Sequence, residues 1–217
     1  MTVQYRSDPA AIEALLPRPL RPINDVVMVQ VARWGDVPGL GRDTYECNVM
    51  IGARFDGPPV TSGSYSPYFY VDSDRAMAGG REFHGQPKRR ADVRLECRGD
   101  IVVASVAANG IEFFLGTMPY KARPATFEDV RREVDPVTNI NLKILPEIDG
   151  GTAVRQLTAR DLADIVVGEC WSGPSTAEVR PHATCPLYRL PVVAFLTGYY
   201  WTTEFSLVGG RVLHRYE

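Results

Sequence analysis

With 217 residues, 45% of them hydrophobic and 23% charged, the chain has the balance of a globular protein with material for one substantial core. A formal net charge of −2 offers no general attraction to nucleic acid or to an anionic membrane, which leaves a small molecule as the expected partner. No apolar run approaches the roughly 20 residues of a membrane-crossing helix, and the opening Met1-Thr2-Val3-Gln4-Tyr5-Arg6-Ser7-Asp8 lacks a basic-then-apolar secretory pattern, so one cytoplasmic domain spanning 1–217 is expected.

In chain order, Asp8-Pro9 followed by Ala10, Ala11, Ile12, Leu15 and Leu16 predicts a short amphipathic helix. Asp8 caps it, Pro9 suits its first turn and Pro17 ends it. Strands follow at 26–34, which is rich in valine, at 47–55 and at 65–71. Residues 74–80 predict a short helix stopped by glycine. Strands at 93–97, 101–107 and 111–117 come next, the last two joined by a tight Asn109-Gly110 hairpin. Further strands are expected at 140–144, 153–162, 164–171 and 192–205. A final one at 208–216 is expected to pair with its predecessor around Gly209-Gly210. Many short strands with few helices predict a mainly β (α+β) single domain, barrel or sandwich.

Several chemistries have no motif here. His84, His182 and His214 are not at metal-ligand spacing, and no H-E-x-x-H is present. Phosphate-cradling G-x-x-x-x-G-K-S/T, dinucleotide-binding G-x-G-x-x-G and the G-x-S-x-G elbow are absent. Cys47, Cys97, Cys170 and Cys185 are scattered without C-x-x-C spacing and read as buried small apolar residues of a reducing compartment.

The segment Gly80-Arg81-Glu82-Phe83-His84-Gly85-Gln86-Pro87-Lys88-Arg89-Arg90 stands out. On charge alone it is a solvated basic turn before a strand. The other reading makes Lys88 an amine nucleophile. That role requires an apolar pocket or a neighbouring cation to free the amine from its proton, and Arg89 is a neighbouring cation.

The chain resembles the acetoacetate decarboxylase family from end to end. Tyr5-Arg6-Ser7-Asp8 with Pro17-Arg18-Pro19-Leu20 is similar to that family's Y-R-S/T-D … P-x-P-L. Gly39-Leu40-Gly41 with Tyr45 and Glu46 resembles its G-x-G … Y-x-E. Tyr70-Val71-Asp72, Gly80-Arg81-Glu82 and Pro87-Lys88 match Y-x-D … G-R-E … P-K in order. Met118-Pro119-Tyr120-Lys121, Asn141-Leu142-Lys143-Ile144-Leu145-Pro146, Asp149-Gly150, Glu169-Cys170-Trp171-Ser172-Gly173-Pro174 and Leu190-Pro191 continue the likeness. The resemblance implies a closed, cone-like β-barrel with a few short peripheral helices, a homo-oligomer, and a cofactor-free enzyme. Lys88 would form a Schiff base with a 2-oxo or 3-oxo acid; acetoacetate decarboxylase is itself a standard example of such an activated lysine.

Departures from the pattern bear on the reaction. The decarboxylases carry an extra N-terminal segment whose arginine reaches the site, and it is not in this sequence. Recognition of the substrate carboxylate is therefore expected from elsewhere, or is absent. Their lysine after the Schiff-base lysine is Arg89 here. Of their two pocket glutamates, Glu46 matches one and the other falls on Gln30, an amide that orients a carbonyl by hydrogen bonds and shuttles no proton. These changes favour aldol, dehydration or related chemistry over decarboxylation, as in relatives of secondary metabolism.

On the late strand Tyr199-Tyr200-Trp201-Thr202-Thr203-Glu204-Phe205, Glu204 is either a general acid/base or an exposed carboxylate, and Tyr200 shares its face. Arg81 either clamps a carboxylate or pairs with Glu82. His84 is either structural or pocket-facing. Two further readings stay open: a non-covalent cyclase or isomerase in the same pocket, and a binding protein that has lost the reaction.

Overall fold

The computed structural model describes residues 1–35, 37 and 43–216. Gly39, Leu40 and Gly41 of the G-x-G stretch lie outside the described residues. β1 (Thr2–Arg6) leads to α1 (Pro9–Leu15), where Asp8 Oδ1 accepts from the Ala10 N–H at 2.9 Å and Pro9 opens the first turn. An antiparallel meander of β2 (Arg21–Trp34), β3 (Thr44–Phe55) and β4 (Thr61–Val71) follows.

α2 (Asp74–Gly79) passes directly into a π-helical turn, Gly80–His84, before β5 (Lys88–Arg90) returns parallel to β4. Gly80 is right-handed helical and stops nothing; Gly85, at φ 75°, ends the helical stretch. β6 (Asp92–Arg98), β7 (Ile101–Ala108) and β8 (Ile111–Pro119) form a second meander. Its Asn109-Gly110 turn has φ values of 52° and 76°, the two positive angles that a tight hairpin of this type requires.

After β9 (Arg123–Pro124), α3 (Phe127–Arg131) begins on a capping box. The Thr126 hydroxyl accepts from the Asp129 N–H, and the Asp129 carboxylate accepts from the Thr126 N–H. β10 (Thr138–Pro146), the 23-residue β11 (Thr152–Pro174) and β12 (Thr176–Val179) come next. A 3-10 turn at Pro186–Arg189 precedes β13 (Ala194–Phe195), β14 (Thr197–Leu207) and β15 (Arg211–Arg215).

The main sheet runs β10-β11-β14-β1-β2-β3-β4, and β4 pairs back onto β10 through Ser64–Asn139 and Tyr65–Ile140. The path therefore returns to its start as a ring of strands, the counterpart of the barrel expected from the resemblance. β12, β8, β7 and β6 form a second sheet against the ring's outer face. There Val27, Val29, Val31, Val49 and Ile51 share a core with Val102, Val106, Phe113 and Phe114. On the opposite face Val26, Met28 and Met50 pack against Val130 and Val134 at α3. β2 is thus covered on both sides, and this is why its sequence is a continuous apolar run rather than an alternating one.

Two expectations need correction. The strands predicted at 153–162 and 164–171 are one strand, with register shifts near Asp164, which sits at φ 52°. β15 pairs with β11, not with β14: β14 runs antiparallel along Leu162–Pro174, and after Gly209-Gly210 the chain continues down the same partner along Gln156–Ala159. Among the described residues no helix is long and apolar enough to cross a membrane.

Candidate active site

Paired residues of neighbouring strands share a face, and the register builds one rank across four of them. Gln30 on β2 lies opposite Asn48 on β3, Asn48 opposite Phe69 on β4, and Phe69 opposite Lys88 on β5. Glu46, two residues before Asn48, projects to the same side. These side chains line a cavity of about 830 Å³ inside the ring. Its other end is aromatic, with Trp34, Trp201 and Phe205 on the lining and Trp34 stacked edge-on against Phe205 at 5.4 Å.

Lys88 is 6% exposed and Glu46 5%. The Lys88 Nζ donates to Glu46 Oε1, and it stands 4.6 Å from the centroid of the Phe69 ring. Space for the lysine stem comes from Gly80, where a Cβ would fall 2.5 Å from Lys88 Cδ and 2.8 Å from Cε. Burial lowers the Lys88 pKa below its ordinary value; the Glu46 carboxylate opposes that shift and the Arg160 guanidinium adds to it. The arrangement therefore gives a sheltered amine with an enlarged uncharged fraction and a carboxylate in place to take its proton.

The cavity wall is amide-rich. Gln86 Nε2 donates to Asn139 Oδ1 at 3.3 Å, Asn141 Nδ2 donates to the same oxygen at 2.9 Å, and Asn139 Nδ2 donates to Ser66 Oγ at 2.8 Å. Asn48 Oδ1, which faces the cavity side of β3, is buried without a partner among the described residues. His84 lines the cavity with its pKa pushed down to about 4, by burial first and then by Arg160, Lys88 and Lys143, so its ring is neutral at pH 7. Among the described residues no group of three or more His, Cys, Asp or Glu side chains is placed to hold a metal ion.

Gln30, Glu46, His84, Lys88 and Tyr200 all border the cavity; Arg81, Arg89 and Glu204 do not. Arg89 is turned to the opposite side of β5 by strand alternation, where its Nη1 donates to Thr184 O at 2.7 Å. Its charge bears on Tyr68, Tyr70 and Cys185, and the cation acting on Lys88 is Arg160 instead. Arg81 is exposed on the π-helical turn, and among the described residues it forms no ion pair with Glu82. Glu204 is exposed on β14, while Thr203 and Phe205 on either side are half-buried and line the cavity. It is the surface carboxylate of the two alternatives. Cys97 is likewise exposed, not buried.

The sequence reading missed Arg160, Asn139 and Gln86. Arg160 belongs to no motif, yet alternation was available: Leu157 and Ala159 face the outer core, which sends Thr158 and Arg160 to the other side.

The family model for acetoacetate decarboxylase (ADC) matches residues 1–216. An acetoacetate decarboxylase of Streptomyces nogalater is 35% identical over 216 residues, which cover 100% of this chain and 86% of the relative. The crystal structure of acetoacetate decarboxylase from Legionella pneumophila superposes with a TM-score of 0.92 at 30% identity, covering 99% of this chain and 84% of that one. The enduracididine biosynthesis enzyme MppR, complexed with pyruvate, shares the fold with a TM-score of 0.82 at 18% identity, over 100% of this chain and 88% of its own.

Proposed function

This chain belongs to the acetoacetate decarboxylase family, and from that premise we propose that it is a lyase acting on an oxo acid through a Schiff base at Lys88. The observation that carries the reading is the nearly inaccessible Lys88 amine, hydrogen-bonded to Glu46 within an 830 Å³ cavity.

Lys88 passes one proton to Glu46, and its freed lone pair attacks the ketone carbon; a second proton moves from the nitrogen to the former ketone oxygen to give a carbinolamine. Glu46 then returns its proton to the departing hydroxyl, so that water leaves and an iminium remains. The iminium then accepts an electron pair from an adjacent bond. In a 3-oxo acid that is the bond to carbon dioxide; in a 2-oxo acid it is a C3–H bond whose proton goes to a base. Either route yields an enamine, which is protonated or attacks an acceptor carbonyl. Water finally releases Lys88. Gln30 and Asn48 supply neutral hydrogen-bonding groups toward the substrate oxygen, and His84, neutral at pH 7, is a proton acceptor on the same wall.

Borohydride reduction with a panel of oxo acids, followed by intact-mass measurement and peptide mapping, tests this. A covalent adduct on Lys88, absent from Lys88→Ala, is the expected result. Turnover that persists in Lys88→Ala with no adduct in the wild type would instead fit non-covalent acid/base chemistry. Assembly as a homo-oligomer is part of the same proposal, read by light scattering on the eluting protein.

A further inference from the structure

Two cations, Lys88 and Arg160, border the cavity, and the Glu46 carboxylate whose charge acts on both is hydrogen-bonded to Lys88. Arg160 lies on β11 directly opposite Asn139 of β10 and borders the cavity. Among the described residues its Nε is buried without a hydrogen-bond partner and its guanidinium takes part in no ion pair. Glu46 Oε1 accepts from Lys88, and both lone pairs of Asn139 Oδ1 are taken by Gln86 and Asn141; among the described residues neither side chain accepts a hydrogen bond from Arg160. A guanidinium does not escape by losing its proton, and Arg160 is half-buried with its Nε shielded from water and unpartnered among the described residues, so the site is suited to an anion brought by the ligand.

We propose that Arg160 anchors the substrate's carboxylate, and that the substrate is a 2-oxo acid whose anchored carboxylate survives the reaction. This rests on the Schiff-base reading of Lys88. The planar guanidinium fork fits a carboxylate with two parallel hydrogen bonds. In a 2-oxo acid the ketone carbon is bonded directly to that carboxylate, so fixing one presents the other to the amine. Decarboxylation of a 3-oxo acid disperses the carboxylate charge, and a cation held on it stabilises the ground state more than the transition state. Proton loss from C3 of a 2-oxo acid leaves the anchored charge in place.

Two reducible probes separate this from the underlying reading: pyruvate, which carries the carboxylate, and acetone, which does not. Adduct formation is followed by intact mass for wild type, Arg160→Gln and Arg160→Lys. The ratio of pyruvate to acetone trapping efficiency is expected to fall by about 10- to 100-fold in Arg160→Gln, as for a lost charged hydrogen bond, and to recover partly in Arg160→Lys. The acetone arm absorbs any change in Lys88 basicity. An unchanged ratio overturns the proposal while leaving the Schiff base standing. Should wild type trap neither probe, calorimetric titration with lactate, which forms no imine, reads the anchor alone. Binding weakened about 10-fold or more by Arg160→Gln supports it, and equal binding overturns it.

Discussion

A lysine amine reacts with a ketone only as the free base, and at Lys88 two neighbours pull its proton equilibrium in opposite directions. Burial and Arg160 release the proton; Glu46 retains it. Replacing Glu46 with Gln therefore lowers the Lys88 pKa further, and the rising limb of adduct formation with pH, set by loss of the Lys88 proton, should move to lower pH. Its plateau should also drop by about 10²-fold or more, because the proton acceptor is gone. Reductive trapping across pH measures both, and a limb that stays put or moves to higher pH contradicts the assignment. Lys88 and Glu46 were legible because each sits in a short ordered motif. Arg160 was not, because one arginine in a 23-residue strand has no signature until the strand's faces are known. Arg89 misled for the complementary reason: adjacency in sequence is opposition in a strand.

The element that presents the lysine is the α2–π-turn–β5 segment, and it depends on two glycines for different reasons. At Gly80 the obstacle to a side chain is the Lys88 stem itself. Gly80→Ala should therefore leave the fold intact, with Tm changed by only a few degrees, while adduct formation falls by 10-fold or more as the amine is displaced from Glu46, roughly the loss of a charge-assisted hydrogen bond. At Gly85 the backbone is left-handed, and a Cβ would come 2.7 Å from the Lys143 Cα. Gly85→Ala should cost about 1–2 kcal/mol or more in stability, lowering Tm by at least about 2–8 °C. Thermal melts paired with trapping assays separate the two, and a Gly80→Ala variant with undiminished trapping would contradict the steric account. Most strands were legible from apolar runs and turn residues. The π-turn and the β11–β15 pairing were not, since both arise from how the chain follows a partner far away in sequence.

The molecule as a whole encloses more space than a four-carbon acid requires, because seven strands close into a ring while α3 plugs only one side of its interior. About 830 Å³ lies within the range of pockets that hold drug-sized ligands, about 300–1,000 Å³. The aromatic end should therefore reward an apolar substituent. Phenylpyruvate should be trapped with a half-saturating concentration about 10- to 100-fold below that of pyruvate, as expected for burying one phenyl group; no gain would mean that the aromatic end lies beyond the substrate's reach. The mainly β architecture was legible from strand spacing, but the ring was not, since its closing Ser64–Asn139 and Tyr65–Ile140 pairs join segments with no sequence link. All of this converges on the protonation state of a single amine. The most direct test is an NMR titration of the Lys88 ε-carbon, assigned by comparison with Lys88→Arg. The account predicts a midpoint clearly below the ordinary lysine value of about 10.4, and a midpoint at or above that value would contradict it.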